Sequence, residues 1–223
     1  MPHTKKLVIA IDGPAGAGKS TVAKALARDL GLNYLDTGAM YRALALKARR
    51  AGLGPQDGDA AAALGESTSI EFGPGEPQRV FLDGEEVTSA IRAPEVGELA
   101  SALSAFPPVR VLLVARQKAM VREGGYTLEG RDVTTVVAPD ADVKVYLTAP
   151  ADERARRRLI ELEQKGMPDE IAKVREEMEV RDSRDMTRAD SPLMIAPGAT
   201  VIDSQGLTPE QVVERIKALI LPG

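Results

Sequence analysis

The sequence contains no cysteine and only one histidine, His3. Without cysteine, the chain forms no disulfide, offers no thiolate to zinc and has no thiol nucleophile. The single histidine stands close to the N-terminus, which excludes histidine-based acid–base catalysis and histidine-ligated metal sites. The groups left for chemistry are the side chains of Lys, Arg, Asp, Glu, Ser and Thr, together with backbone amides.

Aromatic residues are also few, with no Trp, four Tyr and three Phe among 223 residues. We therefore predict an aliphatic core and no aromatic stacking surface for single-stranded nucleic acid. The 29 Lys and Arg face 33 Asp and Glu, a formal net charge of −4 that disfavours binding nucleic acid or an anionic membrane by bulk electrostatics. No apolar run reaches the ~18 residues that span a bilayer, and no secretory signal is recognisable. We expect a soluble, cytoplasmic protein.

Apolar runs and helical periodicities alternate along the chain, which predicts an α/β fold with a mostly parallel sheet. Strands are predicted at 7–11, 126–129, 143–147 and 200–202. Helices are predicted at 19–30, 39–51, 94–105, 109–122, 151–165, 168–188 and 209–219. Between 65 and 91 short alternating segments and turn residues predict a small antiparallel meander instead. We interpret the chain as one domain over 1–223 with an inserted subdomain at 62–105.

A glycine-rich motif, G-x-x-x-x-G-K-S, follows the first predicted strand and opens the first predicted helix. In this context the loop amides and the helix N-terminus bind phosphate oxygens, the lysine reaches the outer phosphates, and Ser20 is placed to ligate Mg²⁺. The motif predicts ATP and Mg²⁺ as cofactors. The predicted nucleotide-binding residues are Gly13, Pro14, Ala15, Gly16, Ala17, Gly18, Lys19, Ser20 and Thr21.

The loop alone does not choose among proteins that bind nucleoside triphosphates. A GTPase needs a guanine-reading N-K-x-D segment, which this sequence lacks. A kinase of a small acceptor and a non-enzymatic ATP switch both remain open. An acceptor kinase would also need a second anion site and mobile arginines.

Four sequence blocks, in order along the chain, resemble the signatures of the bacterial cytidylate kinase family in its long form. They are Ile11-Asp-Gly-Pro-Ala-Gly-Ala-Gly-Lys-Ser, Leu35-Asp-Thr-Gly-Ala-Met-Tyr-Arg42, Gly130-Arg-Asp132 with Thr135-Val-Val-Ala-Pro-Asp140, and Arg181-Asp-Ser-Arg-Asp-Met-Thr-Arg188. The resemblance implies a three-layer P-loop fold, an inserted nucleotide-side subdomain and a helical lid with its following helix at 150–190. It also implies ATP-dependent phosphorylation of CMP and dCMP by a monomer. Another nucleoside monophosphate or a small metabolite is the alternative acceptor.

The resemblance implies roles for individual residues. Lys19, Arg131, Arg157 and Arg158 are the predicted catalytic residues. The predicted acceptor-binding residues are Thr37, Tyr41, Arg42, Ser101, Arg110, Arg131, Asp132, Arg181, Asp185 and Arg188.

The chemistry of these side chains fits the acceptor. Arg42 can pair bidentately with a phosphate dianion, and Asp132 can accept from the N4 amino group of cytosine, a donor that uracil lacks. The spacing of Arg181, Asp185 and Arg188 places them on one helical face, where ordinary i,i+4 salt bridges are the simpler reading. Arg154, Arg157 and Arg158 share a face of the predicted lid, whereas Arg156 is expected to face solvent. The chain departs from the family pattern at Ala15, Glu129, Thr134 and Ala138.

Overall fold

The computed structural model describes residues 6–164 and 166–220, and these divide into two compact units. The phosphate-loop unit comprises the described residues up to Leu35 and from Met120 onwards, and the second unit comprises Asp36–Ala119. The strands are β1 (Lys6–Asp12), β2 (Asn33–Asp36), β3 (Ile70–Gly73), β4 (Arg79–Leu82), β5 (Glu85–Glu86), β6 (Gly124–Gly130), β7 (Val143–Thr148) and β8 (Thr200–Asp203). The α-helices are α1 (Lys19–Leu30), α2 (Thr37–Arg50), α3 (Gly58–Glu66), α4 (Pro94–Leu103), α5 (Pro107–Val121), α6 (Ala151–Gln164), α7 (Ile171–Thr187) and α8 (Pro209–Lys217).

A five-stranded sheet in the order β2-β6-β1-β7-β8 forms the frame of the phosphate-loop unit. Strand β1 pairs in parallel with β6 and β7, and β7 pairs in parallel with β8. The last five residues of β1 are buried, as expected for a central strand of an uninterrupted apolar run. The predicted α/β fold with a mostly parallel sheet is confirmed.

The core of this unit is aliphatic and joins β1, β7 and β8 to helices α1 and α8. Its buried members include Ile9, Ile11, Val22, Leu26, Val145, Leu147, Ile202, Val212, Val213 and Ile216. Helix α1 is followed by Gly31, which forms the expected C-terminal cap. Gly31 has a left-handed φ of 64°, and its backbone N–H donates a hydrogen bond to Ala27 O. A smaller apolar cluster holds α6 against α7. These helices therefore pack as a pair.

In the second unit, β3, β4 and β5 form a three-stranded antiparallel sheet. Strand β3 pairs with β4 from Ile70 opposite Leu82 to Gly73 opposite Arg79. The predicted meander is confirmed, with a shorter last strand than expected. The predicted insert at 62–105 lies within this unit, and its boundaries remain a prediction.

Some elements were not predicted from the sequence, or begin elsewhere. Helix α3 was missed because its alanine-rich sequence carries little apolar periodicity. Tertiary contacts stabilise it: Phe106 packs so closely against Gly58 that a Cβ on this glycine would lie 2.0 Å from Phe106 Cγ. Strand β2 is only four residues long and was also missed. Helix α2 begins at Thr37, two residues early, because the Asp36 carboxylate accepts from Ala39 N at 2.9 Å and caps it.

The remaining boundary errors lie at helix ends. Helix α5 begins at Pro107, since proline is tolerated in the first turn of a helix. Helix α7 begins at Ile171 instead of residue 168, and Lys165 of the predicted 151–165 helix lies outside the described residues. Across the described ranges no single helix is long and apolar enough to cross a membrane; α4 and α5, bent by 101°, satisfy length and composition only as a pair.

Candidate active site

The glycine-rich loop connects β1 to α1 and is shaped by positive φ angles. Gly13, Gly16 and Gly18 have φ of 147°, 72° and 93°, which L side chains rarely adopt. A Cβ on Gly13 would lie 1.9 Å from Leu147 O on β7, so a larger residue cannot fit there. Gly18 is the residue before α1, and the loop therefore opens directly onto a helix N-terminus. This is the arrangement that binds phosphate through backbone amides.

Lys19, the lysine of this loop, is buried at the start of α1. Its ammonium Nζ donates to Pro14 O at 2.7 Å. Burial and the nearby Arg131 lower the pKa of Lys19 to about 7, against the opposing effect of Glu129 and Asp12. An incoming phosphate would favour the charged ammonium, so the lysine is suited to an anionic ligand.

Ser20 and Glu129 place a hydroxyl and a carboxylate side by side next to the loop. Ser20 Oγ donates to Glu129 Oε1 at 2.6 Å, and Tyr34 OH donates to the same oxygen at 3.2 Å. Oxygen ligands of this kind suit Mg²⁺, which in such sites keeps several waters and binds substrate phosphates. No group of three or more His, Cys, Asp or Glu that could hold a metal occurs within residues 6–164 and 166–220. The residues present fit a magnesium ion held largely by phosphate.

Asp12, at the end of β1, was not singled out in the sequence. Its buried carboxylate accepts from Val133 N at 2.9 Å, from Thr134 N at 2.8 Å and from Thr134 Oγ1. Burial raises the pKa of Asp12 to about 6, although these hydrogen bonds act in the opposite direction. The contacts fix the turn that follows β6, and that turn carries Arg131 and Asp132.

The structure brings four of the predicted acceptor residues together within the phosphate-loop unit. Arg131 Nε donates to Asp185 Oδ2 at 2.9 Å, Arg188 Nη1 lies 3.6 Å from Asp185 Oδ1, and Arg188 Nη2 lies 3.8 Å from Asp132 Oδ1. Burial acts to lower the pKa of Arg131, but Asp185, Glu129 and Asp182 outweigh it and raise the pKa. We call Arg131, Asp132, Asp185 and Arg188 the arginine–aspartate cluster.

Arg181 lies one turn before Asp185 on α7. The pKa of Arg181 is lowered to about 10, mainly by burial and secondly by repulsion from Arg131. Its Nε is buried without a hydrogen-bond partner. A cation in this state gains from an anionic or hydroxyl-bearing ligand, because an unsatisfied buried donor costs about 1–3 kcal/mol.

The predicted lid arginines are on α6, and each has a partner. Arg157 donates from Nη1 to Ser204 Oγ and from Nη2 to Ser204 O, both at 2.9 Å, and Arg158 Nη1 donates to Glu161 Oε2 at 3.1 Å. Arg156 is 62% exposed, as the sequence predicted, and it pairs with Glu153. Arg157 Nη1 would lie 3.9 Å from a Cβ on Gly18, which puts this guanidinium beside the phosphate loop.

The other predicted acceptor residues belong to the second unit. Thr37 is buried at the start of α2, and Arg42 Nη1 on the same helix donates to Ile91 O at 3.2 Å. Arg110 is almost fully buried and stands over the Tyr41 ring at 5.9 Å.

A short run of polar contacts connects Arg110 to α4. Arg110 Nη1 donates to Ser104 O at 3.3 Å, and Ser104 Oγ donates to the carbonyl of Ser101 at 2.8 Å. Ser101 is itself buried. Arg110 thus contacts the Tyr41 ring and, through Ser104, the end of α4 that carries Ser101.

Sequence reasoning missed Asp12, Asp182 and Ser204. Asp182 and Ser204 bind predicted site residues or the loop, whereas Asp12 binds the segment that follows Asp132. The signal available for Asp12 was its position directly before the glycine loop. Asp182 stands beside the predicted Arg181, but Ser204 has no signal in the sequence. The contacts of Glu129 with Ser20 were not predicted either.

The parallel sheet, the phosphate loop at the end of its central strand and the lysine at the start of the following helix define a P-loop protein of the class that binds nucleoside triphosphates. A family model described as cytidylate kinase matches residues 9–221. The chain belongs to the cytidylate kinase family.

Similar proteins agree with this assignment. The chain is 48% identical to the cytidylate kinase of Desulfitobacterium hafniense (strain Y51), over 96% of this chain and 93% of that protein. It is 47% identical to the cytidylate kinase of Symbiobacterium thermophilum, over 96% and 95% of the two chains. A crystal structure of an uncharacterized protein from Eubacterium ventriosum superposes with a TM-score of 0.51 at 13% identity, covering 96% and 98% of the two chains, and shows the fold alone.

Proposed function

We propose that this protein transfers the γ-phosphoryl group of ATP to CMP and dCMP, giving ADP and the cytidine diphosphates. The observation that carries the proposal is the position of the arginine–aspartate cluster. Arg131 and Asp132 directly follow β6, which is the hydrogen-bonded neighbour of β1, and β1 leads into the phosphate loop. Two sets of phosphate-binding groups thus begin at the carboxyl ends of adjacent parallel strands, where ligands of such sheets bind.

Phosphoryl transfer of this kind depends on positioning and charge stabilisation more than on a strong base. The loop amides from Gly16 to Thr21 bind the triphosphate, while Ala15 N stays bound to Asp182, and Lys19 exchanges Pro14 O for a phosphate oxygen. The acceptor is an ionised phosphate and needs no general base. This agrees with a site built without histidine or cysteine.

Mg²⁺ has candidate ligands in Ser20 and Glu129. When bound, the ion would neutralise charge on the phosphates of ATP. Ser20 Oγ already donates to Glu129 Oε1, so the two oxygens are held beside the loop before the ion arrives.

The residues proposed for CMP are those that the family resemblance implies, and their chemistry fits these roles. Asp132 accepts from cytosine N4, and Arg188 with Ser101 and Arg110 donates to the remaining base edge. Arg131 and Arg42 bind the monophosphate, with Arg131 oriented by its bond to Asp185. Arg181 and Asp185 bind the sugar, and Thr37 and Tyr41 complete the acceptor set.

Helix α6 is the proposed lid, and α7 is the helix that follows it, within 150–190. Arg157 and Arg158 would leave Ser204 and Glu161 to neutralise charge on the transferred group. We propose that the enzyme works as a monomer in the cytoplasm, on small molecules only. Light scattering of the purified protein checks the monomer.

The test is a coupled assay of ADP release with MgATP and eight ribo- and deoxyribonucleoside monophosphates. We expect CMP and dCMP to give kcat/KM values at least ten times that of UMP. A larger kcat/KM with any non-cytosine nucleotide, or no acceptor-dependent ADP release, would contradict the proposal. The latter result would favour an ATP switch.

A further inference from the structure

Both backbone polar groups of Ala15, in the first half of the phosphate loop, are bound by side chains of the α6–α7 pair. Ala15 N donates to Asp182 Oδ1 at 2.9 Å, and Ala15 O accepts from Arg154 Nη1 at 2.9 Å. Asp182 and Arg154 also form an ion pair with each other, and their side chains are only 7% and 11% exposed. We call these two residues the loop clamp.

The peptide between Pro14 and Ala15 connects the clamp to the loop lysine. Its N–H, on Ala15, donates to Asp182, and its C=O, on Pro14, accepts from Lys19 Nζ at 2.7 Å. The N–H and C=O of one trans peptide point in opposite directions. Fixing the N–H therefore fixes the direction in which Pro14 O faces Lys19.

The packing around the next residue shows that the helices touch the loop itself. A Cβ on Gly16 would lie 2.7 Å from Met178 Cε and 2.9 Å from Arg154 O. The side chain of Ala15 packs against the apolar cluster of α6 and α7. The loop thus rests on both helices, and the clamp is the polar part of that contact.

We infer that Asp182 is a positioning residue for ATP: its carboxylate oxygen sets the orientation of the Pro14–Ala15 peptide, which holds Lys19 in place until a phosphate oxygen replaces Pro14 O. The inference rests on the proposed phosphate-binding role of the loop. Without the acceptor on Ala15 N, nothing but the bond to Lys19 fixes this peptide, and when ATP takes Lys19 the peptide can turn a carbonyl oxygen towards the phosphates. Asp182 contributes through its hydrogen bond, and its charge serves mainly to pair with Arg154.

Two variants remove the contacts of Asp182 to different extents. Asp182→Ala removes both carboxylate oxygens, whereas Asp182→Asn keeps one oxygen, which can accept from Ala15 N or from Arg154 but not from both. Glu179→Ala is the matched control, since Glu179 is exposed on the same helix and pairs with Arg175. Dissociation constants for ATP, measured by isothermal titration calorimetry without CMP, are the first readout, and KM values for ATP and CMP are the second.

We expect Asp182→Ala to weaken ATP binding at least ten-fold while the KM for CMP changes less than three-fold. Glu179→Ala should stay within three-fold of the wild type in both, and Asp182→Asn should lie between the wild type and Asp182→Ala. An equal loss for ATP and CMP in Asp182→Ala would overturn the inference. Because ATP binding is measured without an acceptor, failure of the proposed CMP activity would appear separately, in the acceptor assay.

Asp182→Ala leaves Arg154 without its buried partner and risks unfolding the lid. The double variant Asp182→Ala/Arg154→Ala removes both charges, and circular dichroism checks its fold. We expect its ATP binding to stay at least ten-fold weaker than that of the wild type. Recovery of wild-type affinity in the double variant would show that Asp182 only neutralises Arg154, and would overturn the inference.

Discussion

Charged residues of the two sheets are used in different ways. At the carboxyl edge of the parallel sheet, Asp12, Arg131 and Asp132 are buried or nearly so and form hydrogen bonds or close ion pairs. On the antiparallel meander, Arg79 pairs with Glu86 at 2.6 Å, but both side chains are more than 40% exposed. Buried charges are costly unless they are paired or bind a ligand, whereas exposed pairs contribute about 0–1 kcal/mol. The difference indicates that function depends on the charged residues at the carboxyl edge of the parallel sheet.

The largest effect is expected for Lys19→Ala. Because the loop turn is made by glycines, the fold should survive, while the charge that grows on the phosphates loses its partner. We expect kcat to fall a hundred-fold or more, equivalent to about 2.7 kcal/mol. Steady-state kinetics measure it, with Lys217→Ala, at the surface beside Asp29, as the control. A Lys19→Ala variant that kept a tenth of wild-type kcat would remove the lysine from the mechanism.

The next effect concerns specificity. Asp132→Asn replaces a carboxylate with an amide that can present either a donor or an acceptor to the base. A base-edge contact of this type is worth roughly 1–3 kcal/mol, so we expect the CMP to UMP ratio of kcat/KM to fall about ten-fold. Measured kcat/KM values that fall equally for both nucleotides would mean that Asp132 orients Arg188 or the phosphates.

Asp12 predicts a pH dependence of stability. Since burial raises the folded pKa of Asp12 to about 6 from an ordinary 3.8, the folded state binds the extra proton between these values. The unfolding free energy should therefore fall as pH rises from about 4 to about 6, by on the order of 2–3 kcal/mol for this group. Denaturant unfolding of wild type and Asp12→Asn at several pH values measures the difference. Parallel pH profiles would contradict the assignment.

The smallest effect is expected on the meander. Replacing both Arg79 and Glu86 with Ala removes the exposed pair, and we expect little change in the unfolding free energy and none in kcat, because solvent screens exposed charges. Chemical denaturation and the coupled assay provide the measurements. A ten-fold loss of kcat would contradict the contrast between the two sheets, because it would show that exposed charges on the meander contribute to catalysis.

The sequence predicted the elements whose signal is local. The apolar run of β1, the glycines of the loop and the stop at Gly31 each act through their own backbone conformation, and all appear where expected. Helix α3 was not predictable, because its two glycines, Gly58 and Gly65, pack closely against Phe106 and Leu112, which are distant in sequence. Tertiary packing determined that helix.

In the candidate site, too, local patterns were predictable from the sequence and long-range contacts were not. The spacing of Arg181, Asp185 and Arg188 placed them on one face of α7, but it could not show that Asp185 binds Arg131, 54 residues away in the chain. The clamp residue Asp182 was hidden for the same reason, since its partner Ala15 lies 167 residues away. Residue roles that depend on long-range contacts can be assigned only when the fold is known.

The most direct test of the contrast between the sheets is to measure how many protons the protein takes up when it binds ATP. With the pKa of Lys19 lowered to about 7, most of the free protein carries a neutral lysine at pH 8, and bound phosphate restores its charge. Isothermal titration calorimetry of MgATP at pH 8, in two buffers with different ionisation enthalpies, gives the number of protons taken up. We predict an uptake approaching one proton in the wild type, lost in Lys19→Ala and retained in the Arg79→Ala/Glu86→Ala variant. Binding of ATP by the wild type with no proton uptake would contradict the account.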